Sequence, residues 1–274
     1  MKLQYMGTAA AEAMPALFCR CDACVRSRAA GGKNIRMRSG LIINDTVMID
    51  FCPDAYALSL KFGIELAAVR DVFITHSHHD HFDCEDLVMR RMPVFCQLPY
   101  KLNLFGNAAT IKRLDDYVRD HDIPYDDYLN VTQLEFFKPY ETVDGVTMTY
   151  LPAQHAPKET AGIYLIRDGE KTALYAHDTG EFLEETMAFL KTQKLDFISL
   201  DACYGKRDHG VGHMGIPNGR KMVAELRAAG AVNDDAVVIV NHFSHNCGQL
   251  HEELEAEVKD DGFLVAYDGM IVNI

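Results

Sequence analysis

Apolar residues fall in short blocks separated by polar turns, and few blocks have room for more than one strand or helix. Leu3–Met6, Ser39–Ile43, Val47–Asp50 and Val72–Thr75 read as strands, the last running straight into a histidine-rich turn. Helical spacing follows at Cys84–Arg91 and Asn107–His121, and strand spacing returns at Val131–Phe137, Val146–Leu151, Ile163–Ile166 and Thr172–Tyr175. Asp144-Gly145 and Asp168-Gly169 mark turns, the second of them a hairpin. A helix is predicted over Glu181–Thr192, then a buried strand at Phe197–Leu200 and a glycine-rich loop reaching Pro217. The chain continues with a helix at Asn218–Ala229, an apolar strand at Ala236–Asn241, a helix near Gln249–Lys259 and short strands at Phe263–Tyr267 and Met270–Val272. With no Pro- or Ser-rich linker and no internal repeat, a single domain over 1–274 is expected. Strand meanders with helices between them fit an α/β (α+β) architecture: two antiparallel-rich sheets packed face to face, helices outside.

Composition narrows the function classes more than the fold. Of 274 residues 48% are hydrophobic and 24% charged, the balance of an ordinary globular protein. The apolar runs are too short to span a membrane. Gln4, Gly7, Thr8 and Glu12 interrupt the apolar N-terminal stretch, so no secretory signal is expected and a cytoplasmic location is. A formal net charge of −13 repels polyanions, so the expected partner is a small molecule rather than a large nucleic acid or a membrane. A homodimer, the commonest closed assembly, is the expected form if the chain assembles.

The chemistry gathers at strand ends. His76, His78, Asp80 and His81 follow the strand Val72–Thr75 as H-x-H-x-D-H, more ligands than one tetrahedral ion takes from a single loop, so two adjacent ions are expected. His155, Asp178 and His242 each follow an apolar strand and precede a loop, where a rigid strand fixes the ligand and the loop leaves it open to substrate. Such nitrogen and oxygen donors suit Zn, Mn or Fe. His213, in the glycine-rich loop Gly210–Gly215, is the candidate general acid or phosphate contact. His121, His209 and His251 are assigned no role, and His79 and His177 are expected to turn away from the ligands beside them. Lys206 and Arg207 read as solvated surface charges.

Cys19, Cys21 and Cys24 form C-x-C-x-x-C, which in a reducing compartment reads as thiolate ligation of zinc with a fourth ligand from elsewhere. The other five cysteines have no such spacing and read as small buried hydrophobes.

This combination resembles the metallo-β-lactamase superfamily across essentially the whole chain. The resemblance implies a four-layer αββα sandwich with a dinuclear site at one edge. It implies that His76, His78 and His155 hold a first metal, that Asp80, His81 and His242 hold a second, and that Asp178 bridges them. The cysteine insertion, at about 14–37, looks like that of the PhnP-type phosphodiesterases, which cleave cyclic ribosyl phosphates. That group supplies a histidine just after the last catalytic one, which implies His245 as the fourth ligand of a structural zinc, with Cys247 as the alternative. PQQ-biosynthesis proteins share a similar insertion. The implied activity is hydrolysis of a small cyclic or nucleotide-like phosphodiester by a metal-bridging hydroxide, with Asp80 or His213 moving the proton. The alternatives are a tRNA 3′-processing type of nuclease, another metallo-hydrolase and a carrier protein.

Overall fold

The computed structural model describes residues 1–274. Its fourteen strands form two seven-stranded sheets. In the first, β1 (Lys2–Gly7) lies between β14 (Ile271–Asn273) and β2 (Gly40–Ile43), followed in order by β3 (Val47–Ile49), β4 (Asp71–Phe73), β5 (Leu102–Gly106) and β6 (Leu129–Gln133). The second runs β13 (Leu264–Val265), β12 (Val232–Asn241), β11 (Leu195–Asp201), β10 (Lys171–Ala176), β9 (Gly162–Asp168), β8 (Thr147–Pro152), β7 (Pro139–Glu141). Each sheet has three antiparallel pairings and three parallel ones, so both are mixed rather than antiparallel-rich as expected. Crossover helices impose the parallel halves, because strands running the same way cannot be joined by a tight turn.

Three apolar cores give the layers. Between the sheets lie inward-facing residues such as Leu3, Tyr5, Ile49, Phe73, Met148, Tyr164, Tyr175 and Phe197. Outside the first sheet, α2 (Ala55–Phe62), α3 (Cys84–Leu87) and α4 (Ala108–His121) bury Leu58, Leu87 and Leu114 against Met48, Val72 and Leu104. Outside the second, α5 (Glu184–Leu190), α6 (Ile216–Ala228) and α7 (His251–Val258) bury Leu190, Met222, Leu226 and Leu254 against Ile198, Leu200 and Val240. This is the αββα sandwich.

The expected elements recur with shifted ends. The Asp168-Gly169 hairpin is present, with Asp168 facing Lys171 and Gly169 at φ +57. The strand expected at Val131–Phe137 stops at Gln133, and Phe137 turns the chain with φ +62. The helix expected over Glu181–Thr192 spans only Glu184–Leu190, and that at Cys84–Arg91 closes as a 3-10 turn over Val88–Arg90. Helices α1 (Asp22–Ala30) and α2 and strands β5 and β7 are additional; α1 buries little but Ala23, Cys24 and Ser27, so it carries almost no apolar periodicity to read.

Candidate metal centre

Strand direction assembles the centre. Strands β3 and β4 run parallel in one sheet, and β8, β10, β11 and β12 share a direction in the other, so their C-terminal ends open on one edge of the sandwich. Asp50, His76, His155, Asp178, Asp201 and His242 sit at or just past those ends. Asp50, Asp178 and His242 have φ of +61, +50 and +60, the left-handed region that non-glycine residues rarely take. Such strain is held where the surroundings over-determine it, which is typical of functional sites.

One group consists of His76, His78 and His155. His76 Nε2 lies 2.9 Å from His78 Nδ1, and His155 Nε2 lies 3.2 Å from the same atom. Ligands about 2.0 Å from one ion in a tetrahedron stand a little over 3 Å apart. Their outer nitrogens are fixed elsewhere. His76 Nδ1–H donates to the Thr75 hydroxyl at 3.0 Å, and His155 Nδ1–H to the Gly212 carbonyl at 3.0 Å, leaving lone pairs facing inward.

The second group is Asp80, His81, Asp178 and His242, all buried. His81 Nε2 is 3.2 Å from Asp80 and also contacts Asp178 Oδ2, while His242 Nε2 is 3.3 Å from that same oxygen. Asp178 also comes within 3.7 Å of His76 and 3.8 Å of His155, so it stands between the groups. His81 Nε2 and both His242 nitrogens are buried without a hydrogen-bond partner. Buried orphaned nitrogens beside carboxylates are costly unless a cation joins them, so the donor set fits divalent metal ions.

The electrostatics agree. Burial works against ionisation of Asp178, yet His242, His81 and His155 hold it well below the carboxylate range. Burial also opposes charge on His81, but Asp80, Asp178 and Asp50 hold it well above the usual imidazole value. His76, deeply buried with His81 beside it, is held well below that value. Carboxylates that charge one histidine so strongly mark a pocket that favours added positive charge.

Two acidic residues absent from the expected set lie against these candidate ligands. Asp50 accepts from His81 Nδ1–H at 2.7 Å and from the Thr75 amide and hydroxyl at 2.8 and 2.9 Å. Asp201 Oδ2 lies 3.1 Å from His213 Nδ1, 3.4 Å from His242 Nδ1 and accepts the Asp178 amide at 3.0 Å. Both close apolar strands, the same signal that identified His242. His213 joins them because the 205–215 loop lies against the turn after β10: a Cβ on Gly180 would sit 2.3 Å from the Gly210 carbonyl oxygen. Burial disfavours the charged His213, but Asp201 and Asp178 push it up to about 9. Its Nδ1 is 3.2 Å from Asp178, so it also belongs to a group with Asp178, Asp201 and His242.

The cysteines form a separate cluster. Cys19, Cys21 and Cys24 Sγ lie 3.5, 3.4 and 3.5 Å from His245 Nδ1. Zinc with bonds of about 2.3 Å to sulfur and about 2.0 Å to nitrogen sets that separation at about 3.5 Å. Cys247, the alternative to His245, is buried and hydrogen-bonds the Gln249 backbone instead.

Other histidines stay apart. His177 faces the inter-sheet core, 2.7 Å from Ser199 Oγ; His79 is exposed; His121 stacks on Tyr117 and His209 on Tyr204. His251 is buried and takes a hydrogen bond from Arg36 at 2.9 Å. A cavity of ≈ 300 Å³ opens over the centre, reached by His78, Asp80, His155, Asp178, His213 and His242.

Residues 45–243 match the family model of the β-lactamase superfamily domain. A diphosphatase from the PhnP family superposes over 100% of this chain and 97% of its own, with TM-score 0.76 and 21% identity. Zn(2+)-bound PqqB from Methylobacterium extorquens covers 100% of both chains at TM-score 0.77 and 17% identity. The short form of human tRNase Z covers 100% of this chain and 99% of its own at TM-score 0.64 and 13% identity. At such identities the likeness is one of fold. No curated protein matches the sequence.

Proposed function

The chain belongs to the β-lactamase superfamily domain family, and from that premise we propose that it is a metal-dependent hydrolase of a small cyclic or nucleotide-like phosphodiester. The observation that carries the reading is the pair of adjacent donor groups, His76/His78/His155 and Asp80/His81/His242, with Asp178 between them at the floor of a cavity of ≈ 300 Å³. These residues would hold two divalent ions, Zn, Mn or Fe, and Cys19, Cys21, Cys24 and His245 a structural zinc. Bound there, the ions supply a water acidified at neutral pH and polarisation of a phosphoryl oxygen.

The chain's own part is orientation and proton transfer. Asp50 and the Gly212 carbonyl fix which nitrogens of His81 and His155 face inward. Asp201 holds His213 by Nδ1, leaving protonated Nε2 to donate to the departing oxygen. Asp80, held ionised by His81, is better suited to a ligand's role than to a proton donor's. A phosphoric anhydride would be opened by the same displacement, a second reading favoured by the likeness to the diphosphatase. The cavity's scale and the −13 charge favour a small substrate over a long polyanion.

The test is hydrolysis of bis-p-nitrophenyl phosphate by metal-stripped protein reloaded with Mn or Zn, with metal content measured. Activity should return only with metal and fall at least about 10³-fold in His76→Ala and Asp178→Ala. A fully loaded protein that cleaves no phosphodiester or anhydride would leave the carrier alternative.

A further inference from the structure

The cavity over the metal centre has a second wall, and its chemistry bears on which phosphodiester fits. It is lined, outside the donor groups, by Ala10, Ala11, Glu12, Ser244 and Asn246. No lysine or arginine lines it. The guanidinium of Arg38, beside Ala11, is spent on the Ala11 carbonyl at 2.9 Å and on Asp54 at 3.0 Å. Lys206 and Arg207 are exposed to solvent on their loop.

Glu12 is held in place without being satisfied. Its Oε1 accepts from the Ser244 hydroxyl and lies 3.7 Å from His245 Nε2, while Oε2 has no hydrogen-bond partner in the protein. Its side chain is 30% exposed, and the chain turns sharply just after it, Ala13 having φ +64. A fixed carboxylate with one free oxygen accepts hydrogen bonds from hydroxyl groups and repels anions.

Resting on the phosphodiesterase reading above, we propose that Glu12 is a specificity-determining residue. It binds a neutral, hydroxylated group of the substrate, a polyol or an unphosphorylated ribosyl moiety, and rejects substrates carrying a second phosphate at that end. The reacting phosphate lies over the donor groups and His213, while the hydroxylated part lies against Glu12 and the Asn246 amide. A second phosphate there would meet a carboxylate and find no cation, and discrimination by an unfavourable contact of this kind is as effective as an added favourable one.

The experiment compares kcat/KM of Mn-loaded protein on a nucleoside 2′,3′-cyclic phosphate and on the same compound bearing a 5′-phosphate, with bis-p-nitrophenyl phosphate as reference. A charge-assisted hydrogen bond predicts at least about a tenfold preference for the unphosphorylated compound, expressed mainly in KM. Glu12→Gln should narrow that ratio and Glu12→Lys should invert it. Equal wild-type values, or a ratio that neither variant changes, would overturn the inference. A purely structural role, acting through His245, would lower zinc content and both rates together at constant ratio. Cleavage of the reference compound with neither nucleotide touched overturns Glu12 recognition alone; no cleavage of the reference compound removes the phosphodiesterase reading beneath it.

Discussion

Asp201 and His213 show how single side chains carry the chemistry. Asp201 is fully buried and lies against His213, His242 and the Asp178 amide at once, so it would position both the proposed proton donor and a proposed ligand. Because His213 is pushed up to about 9, its protonated form persists until the pH passes that value. The rate on substrates with alkoxide leaving groups should therefore fall on the basic side, where His213 loses its proton. In Asp201→Asn this limb should move to lower pH by at least about one unit and kcat should fall about 10²-fold, whereas nitrophenolate, which leaves without a proton, should be much less affected. A pH–rate profile with an unmoved basic limb would remove His213 from that role.

Asp268 is the reverse case. Burial pushes its carboxyl up to about 6, although Thr8, the Met37 amide and Arg36 pull the other way. Its unfolded value is about 3.9, so the folded state keeps a proton that the unfolded state has already lost. Stability from the neutral carboxyl is complete below about pH 3.9 and is lost as the pH rises through 6, a difference of about 3 kcal/mol. Asp268→Asn should abolish that slope when melting temperature is followed from pH 4 to 7.

At the scale of elements, the insertion is tied into the fold by polar contacts rather than by a core. Helix α1 buries few apolar residues, so its stability has to come from elsewhere. Arg36, 1% exposed, donates to Thr8 Oγ1 and His251 and to the Ala266 carbonyl, and its guanidinium lies over the Phe243 ring at 4.3 Å. The four-residue cysteine and histidine cluster then joins α1 to the turn at 245–247, only three residues beyond His242. A zinc held there would brace the ligand. Cys24→Ser should therefore lose about one zinc per chain by elemental analysis and weaken metal retention at the catalytic centre by about 10- to 100-fold. Retained occupancy at the centre with the structural zinc gone would show that the two sites are independent. The C-x-C-x-x-C spacing made the cluster legible, but the helix inside it was not, because ligation and ion pairs leave no hydrophobic period.

At the scale of the molecule, mixed sheets with shared strand direction bring candidate ligands from His76 to His242 to one edge. The chain carries a formal net charge of −13, and no helix is long and apolar enough to cross a membrane. Binding of tRNA at physiological salt should be undetectable by fluorescence anisotropy at about 10 μM protein, since few phosphates can be neutralised. Salt-sensitive micromolar binding would favour the nuclease alternative.

Residue type and spacing by themselves pointed to the strands beside the site, though not to their exact ends, and to the seven candidate ligands and the three cysteines, because a polar residue that could hold a metal interrupts an apolar run where nothing else calls for it. His213 was visible as a histidine in a glycine loop, and His245 entered through a family resemblance. Only the tertiary structure decided that His245 rather than Cys247 meets the cysteines, that Asp50 and Asp201 lie against the candidate donors, and that Glu12 lines the cavity. These are contacts between segments far apart in the chain, set by sheet order and loop packing, and local periodicity carries no record of which strand ends become neighbours.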